Sequence, residues 1–340
     1  MVGASGTNGT NGTDGTSPRR QFRNGVYCPL VTPFTRDEEI DYPNLRKQVV
    51  RLANAGMGIT LLGTNGEASH LSDKERFLTI KATREALASA GHSDVPILVG
   101  TGTGSAKETV KLSNDAKEAG ADYAIVIFPG YFAFAMGKNR AALQNYFTYV
   151  LDRSPLPVMI YNFPGAAAGV DLDSDIIIEL SEHPNCFGAK LTCAGIGKGL
   201  RIAAHTQTEE YHRRHGHFQV LPGFSDYLLP ALVSGQTGCI TGTGNIIPKL
   251  IVKLYNTAVK AIETNDPKLM QEAQRLQIVV SKADWCIVKA GVGGTKYALD
   301  AHIDQGLGGY PRNPIPDADD AIKAMVDRDL QEALAIERSL

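Results

Sequence analysis

Eight short apolar segments punctuate this 340-residue chain, and only one of them carries an acidic or basic side chain: Lys190, in CFGAKL. A lysine in such a place either snorkels out to solvent or sits among apolar neighbours. Burial disfavours the ammonium form and leaves a neutral, nucleophilic amine. The chemistry that uses such an amine is Schiff-base formation with a carbonyl substrate. Other polar groups close neighbouring segments. Gly63-Thr64-Asn65-Gly66-Glu67 offers backbone N–H groups freed by glycine and a Thr64 hydroxyl, a cradle for a small anion as well as an ordinary tight turn. Tyr161 sits in Ile160-Tyr161-Asn162-Phe163-Pro164, where a phenol beside an amine can shuttle protons. Its usual pKa near ~10 demands a relay or local tuning, and plain ring packing is the competing fate. Pro129-Gly130-Tyr131-Phe132 puts a second tyrosine at the same rim.

These groups need a frame. The apolar segments are GVYCPLV (25–31), GITLLG (58–63), PILVG (96–100), YAIVIF (123–128), PVMIYN (157–162), CFGAKL (186–191), FQVLPG (218–223) and GCITG (238–242). Near-continuous hydrophobicity marks strands covered on both faces. Amphipathic stretches lie between them. Ser72-Asp-Lys-Glu75 and Ser105-Ala-Lys-Glu108 fit the capping box that opens a helix, and Gly56, Gly91 and Gly120 mark helix stops. Alternation of this kind predicts a (β/α)₈ TIM barrel over 22–258 with a C-terminal helical extension over 259–340. That extension is interrupted by GLGGYPRNPIP before a final helix from about Ala318. Residues 1–21, rich in Gly, Thr and Asn, read as a flexible tail. Barrel active sites form at the C-terminal ends of strands, where Lys190, Tyr161, Tyr131 and Thr64 all fall.

Composition narrows the function. The 34 Lys+Arg nearly balance 36 Asp+Glu, for a net charge of −2, which argues against nucleic acid or an anionic membrane as partner. No apolar stretch approaches the ~18 residues of a membrane span. Five cysteines without a C-x-x-C pair point to a reducing compartment, hence a cytoplasmic location. The Arg-containing start, with Arg19, Arg20 and Arg23, keeps a mitochondrial address as the alternative.

The motifs G-T-N-G-E (63–67), G-T-G (100–102), P-G-Y (129–131), Y-N-F-P (161–164) and G-A-K (188–190) stand in one order. In this the chain resembles the dihydrodipicolinate synthase / N-acetylneuraminate lyase family of class I, pyruvate-handling aldolases, from about Gly25 to about Pro314. The resemblance implies that Lys190 forms the imine with a 2-oxo acid and that Tyr161 is the acid/base. It implies that Thr64 and Asn65 hold the substrate carboxylate, with Gly63, Thr192 and Ile240 completing the substrate-binding set. It matches Tyr131 to a tyrosine that completes a proton relay with Tyr161 and Thr64, in many members from a neighbouring subunit, although the usual P-Y-Y reads P-G-Y-F here. It implies a homotetramer built as a dimer of dimers, no metal, and no cofactor beyond the imine.

Synthases of the family carry an arginine just after Y-N-x-P, whereas Gly165-Ala-Ala-Ala-Gly169 holds no charge. The segment HPNCFGAKLT and the Thr64-Asn65 pair look instead like 4-hydroxy-2-oxoglutarate aldolases and fungal 2-keto-3-deoxy-sugar-acid aldolases. The expected reaction is retro-aldol cleavage of a hydroxylated 2-oxo acid, of the 4-hydroxy-2-oxoglutarate or 2-keto-3-deoxy-sugar-acid type, to pyruvate or glyoxylate plus an aldehyde. The alternatives are dihydrodipicolinate synthase and a related hydratase or dehydratase. A metal-dependent aldolase would need ligands, and His212-Arg-Arg-His215-Gly-His217 reads as a polar surface segment instead. The glycines of Gly100-Thr-Gly102-Thr-Gly104 miss the dinucleotide spacing.

Overall fold

The computed structural model describes residues 20–340; most of the expected tail, residues 1–19, lies outside the described residues. The eight apolar segments are strands: β1 Gly25–Pro29, β2 Gly58–Leu61, β3 Ile97–Gly100, β4 Tyr123–Ile127, β5 Val158–Asn162, β6 Cys186–Leu191, β7 Gln219–Pro222 and β8 Gly238–Ile240. Helices α1 Tyr42–Asn54, α2 Asp73–Ser89, α3 Ala106–Ala119, α4 Ala133–Met136, α5 Arg140–Arg153, α6 Ser174–Ser181, α7 Ile196–Thr206, α8 Glu209–His215, α9 Leu228–Val233 and α10 Pro248–Thr264 run between and after them. Three more helices follow: α11 Pro267–His302, α12 Asp320–Asp329 and α13 Gln331–Ser339.

Each strand pairs in parallel with the next from β1 to β7, and β8 pairs with β1. Thr237, just before β8, closes the remaining seam. Its N–H donates to the Val220 carbonyl at 3.0 Å, and its Oγ1 accepts from the Val220 N–H at 3.0 Å. The expected (β/α)₈ barrel with C-terminal helices is therefore borne out. Position 258, the expected end of the barrel, falls inside α10, the helix that follows β8.

Sequence-level signals explain the local boundaries. Ser72 forms the full capping box with Glu75, while Ser105 supplies its half, accepting from the Glu108 N–H at 3.2 Å. Gly56, Gly91 and Gly120 all turn with positive φ (79°, 82° and 105°), where a side chain would be strained. The expected final helix is two, α12 and α13, which meet at Leu330.

Two apolar layers form. One fills the space between strands and helices, and the other lies inside the barrel with Tyr27, Leu98, Ile125, Met159, Leu221 and Ile240 among its members. Phe22 plugs the bottom of the barrel, stacked on Tyr27 with ring centroids 4.2 Å apart. Arg20, expected in the tail, is held by Asp122 at 3.0 Å, so the ordered body begins before Phe22.

Arg312 ties the C-terminal segment to the barrel. Its guanidinium donates to the Glu38 and His70 carbonyls and pairs with Glu75 at the start of α2. Hydrogen bonding from Arg312 holds the Glu75 carboxyl down at about 2, against its usual 4.5. A depressed folded-state pKa contributes stability above 4.5 that is lost as pH falls toward 2. Glu75→Gln should lower stability at neutral pH and flatten the fall of stability across that acid window, read by denaturant unfolding. An unchanged acid slope would remove this pair from the account.

Candidate active site

The register of β5 and β6 brings the two chemical residues together. Tyr161 is paired directly with Lys190, and residues paired across parallel strands face the same side. Here that side is the barrel interior. The Lys190 Nζ lies 4.3 Å from the Tyr161 ring centroid, and both residues are buried, at 6% and 7% exposed. Among the described residues no carboxylate forms an ion pair with Lys190. The Tyr161 hydroxyl reaches the Thr64 Oγ1 at 3.4 Å. Phe163 stacks on the Tyr161 ring at 5.8 Å and limits its tilt. Asn162 anchors the strand end: its Oδ1 accepts from the Leu172 N–H at 2.9 Å, and its Nδ2 donates to Asp171 at 2.7 Å.

Lys190, Tyr161, Thr64 and Pro29 line a cleft with two lobes. The first lobe, about 240 Å³, is also lined by Gly63, His70 and Ala166. The second, about 230 Å³, is also lined by Asn65, Thr192, Gly223, Thr243 and Asp284. A larger depression of about 760 Å³ opens near the N-terminal ends of β1 and β2, the face where barrels carry stability rather than chemistry.

The turn after β2 is rigid. Leu62 and Glu67 both take positive φ, 54° and 51°. The Thr32 hydroxyl donates to the Gly66 carbonyl at 2.8 Å. Gly100 is required beside it, because a Cβ there would stand 1.9 Å from the Leu62 carbonyl oxygen. Glu67 anchors the turn from below. Its Oε1 pairs with the Lys296 Nζ at 2.6 Å, both side chains fully buried, and its Oε2 accepts from the Arg312 N–H at 2.9 Å. Lys296 also donates to the Thr32 and Tyr310 carbonyls, each at 2.7 Å. Burial pushes the Lys296 ammonium down to about 8, opposed by the Glu67 charge. Removing one partner of such a pair strands the other charge, at a cost of about 3–5 kcal/mol.

Of the residues expected at the site, Lys190, Tyr161, Gly63, Thr64, Asn65 and Thr192 all line the cleft. Two do not. Ile240 is fully buried one layer down, in the apolar cluster that also holds the Tyr161 ring, and lines neither lobe. Tyr131 is 83% exposed, packed edge-on against Phe132, and reaches neither lobe within this chain. The uncharged 165–169 stretch borders the first lobe through Ala166. Asp284 and the Lys296–Glu67 pair escaped the sequence reading. Asp284 and Lys296 lie in a 36-residue helix whose charges look like any surface helix. One signal was available: Gly291 inside that helix, where the chain kinks (φ 64°) beside the second lobe.

A model of the dihydrodipicolinate synthetase family matches residues 22–333. The chain belongs to this family. It is 38% identical over 344 residues to an L-threo-3-deoxy-hexylosonate aldolase of Aspergillus niger, covering 95% of this chain and 98% of that protein. It is 40% identical over 319 residues to an Emericella nidulans protein named as a mitochondrial 4-hydroxy-2-oxoglutarate aldolase, covering 93% and 96%. A solved dihydrodipicolinate synthase family protein of Coccidioides immitis superposes with a TM-score of 0.80 at 34% identity, covering 96% of this chain and all of that one. The family expected from the motifs is borne out, and the match extends beyond the expected limits at both ends.

Proposed function

We infer that this member of the family is a carbon–carbon lyase that cleaves a hydroxylated 2-oxo acid between C3 and C4 through an imine on Lys190. The observation that carries the reading is the buried Lys190 amine set over the Tyr161 ring, with the Tyr161 hydroxyl beside Thr64 in the same cleft. The Nζ adds to the C2 carbonyl, and loss of water gives the protonated imine. That imine is the electron sink, so no metal or organic cofactor enters the scheme. The Tyr161 hydroxyl gives its proton to the departing water, and the phenolate so formed, held beside Thr64, takes the C4 hydroxyl proton as the C3–C4 electrons move into the imine. The aldehyde leaves, the enamine takes a proton at C3, and water releases pyruvate and the free lysine. The Gly63–Asn65 turn is the proposed carboxylate cradle; held in place by Glu67, it fixes the keto carbon against the amine.

A synthase would need a cation for its second substrate's carboxylate, and the uncharged 165–169 stretch supplies none. The exposed Tyr131, Phe132 and Phe134 support a tetramer in which a neighbour covers them and Tyr131 joins a proton relay. No helix among the described residues is long and apolar enough to cross a membrane. The name of the Emericella relative favours the mitochondrial address over the cytoplasmic one. The test is a pyruvate-release assay across 4-hydroxy-2-oxo acids and 2-keto-3-deoxy-sugar acids. Pyruvate and an aldehyde in equal amounts are expected from at least one of them. Release from none would overturn the reading.

A further inference from the structure

The turn that the scheme uses as a carboxylate cradle carries a buried negative charge of its own. Glu67 closes that turn through the backbone, because its N–H donates to the Thr64 carbonyl at 3.0 Å. It lines the first lobe with Gly63, Thr64 and Lys190, and its side chain is fully buried. An uncompensated carboxylate this close to the cradle would repel the anion that the cradle has to hold, the more so away from water. The Lys296 Nζ, 2.6 Å from the Glu67 Oε1, supplies the opposite charge.

Three segments fix that ammonium. The loop after β1 offers the Thr32 carbonyl at 2.7 Å and the Phe34 ring, whose centroid is 4.5 Å away. The turn after β2 offers Glu67, and the segment after α11 offers the Tyr310 carbonyl at 2.7 Å. The same segment packs so closely on Lys296 that a Cβ on Gly308 would stand 2.1 Å from the Lys296 carbonyl oxygen.

The other charged or titratable groups packed around Lys296 are engaged elsewhere. Asp300, on the same helix, accepts from the Gly308 N–H at 2.6 Å. Arg312 donates its N–H to the Glu67 Oε2 at 2.9 Å and spends its guanidinium on Glu75. His70 hydrogen-bonds Glu67 at 3.2 Å, and Arg36 covers the Tyr310 ring at 4.3 Å. Burial lowers the Lys296 ammonium to about 8; the Glu67 and Asp300 charges oppose the shift and Arg312 adds to it. The positive charge is therefore present below about 8 and is lost as pH rises through that value, leaving Glu67 uncompensated.

We propose that Lys296 is a positioning residue for the aldol reaction: from beneath the cradle it fixes Glu67 and cancels its charge, so that the Gly63–Asn65 turn accepts the substrate's carboxylate. The proposal rests on the aldolase reading and adds to it a residue that never touches substrate. The competing role is a tie that only joins α11 and the segment after it to the barrel.

The test compares pyruvate with pyruvamide, its uncharged amide, as ligands for borohydride trapping at Lys190. The readout is the ratio of their half-saturating concentrations, pyruvate over pyruvamide. Effects of pH on the Lys190 amine are common to both ligands. In the wild type the ratio should favour pyruvate and rise by about 3–10-fold from about pH 7 to about pH 9. Lys296→Met, which keeps the stem, should raise the ratio at about pH 7 by about 10–100-fold while pyruvamide changes little. Glu67→Gln/Lys296→Met, with no buried charge left, should recover much of that loss and show a flat pH profile. A wild-type ratio in folded Lys296→Met, or equal weakening of both ligands, would overturn the proposal and leave the tie. If Lys296→Met does not fold, a slope that persists in the double variant overturns it. A flat wild-type profile overturns it whatever the variants do. Trapping of neither ligand by the wild type would instead defeat the Lys190 reading beneath it, and no preference for pyruvate at about pH 7 would defeat the cradle.

Discussion

Replacing Lys190 by alanine is expected to abolish aldol cleavage while the barrel still folds. The nucleophile supplies the covalent route, and no neighbouring group can replace it, so kcat should fall by roughly 10⁴-fold or more. Stability should suffer much less. Lys190 shares no ion pair among the described residues, so its removal strands no opposite charge. Lys190→Met, which keeps most of the stem against the Tyr161 ring, should be as inactive and more stable than the alanine variant. Circular dichroism, thermal melting and steady-state pyruvate release separate the two effects. Wild-type-like turnover in either variant would end the assignment of Lys190.

Tyr161→Phe carries the second large effect. The ring still packs on Phe163 and under the Lys190 amine, so the cleft keeps its shape. What disappears is the hydroxyl beside Thr64. Loss of a positioned acid/base should lower kcat by roughly 10²–10⁴-fold, with a smaller change in KM. Imine formation should slow as well, because it also moves protons. An unchanged kcat would remove Tyr161 from the mechanism.

These residues were legible in the sequence for a physical reason. Parallel strands of a barrel are buried on both faces, so each reads as a continuous apolar segment, and a charge inside one stands out. All eight segments became strands, with ends shifted by at most two residues, and Lys190 and Tyr161 sit next to or at the ends where chemistry collects. The turn at 63–67 was legible because glycine and polar residues have few other uses directly after a strand. Long-range partners were not legible. Glu67 and Lys296 are 229 residues apart, as their numbers show, and nothing local in α11 distinguishes Lys296 from a solvated lysine. Asp284 is hidden for the same reason: its three hydroxyl partners come from two separate loops. Ile240 shows the limit of carrying a site residue over from a family resemblance. A residue in the right strand can still lie one layer below the cleft. Tyr131 shows another, because an exposed aromatic gains a role only from what covers it.

The most direct test of the central claim is reduction with borohydride in the presence of pyruvate, followed by peptide mass mapping. The account predicts irreversible inactivation that requires pyruvate, and a reduced pyruvate adduct on the peptide that contains Lys190. Full activity after treatment, or an adduct confined to another lysine such as Lys296, would contradict it.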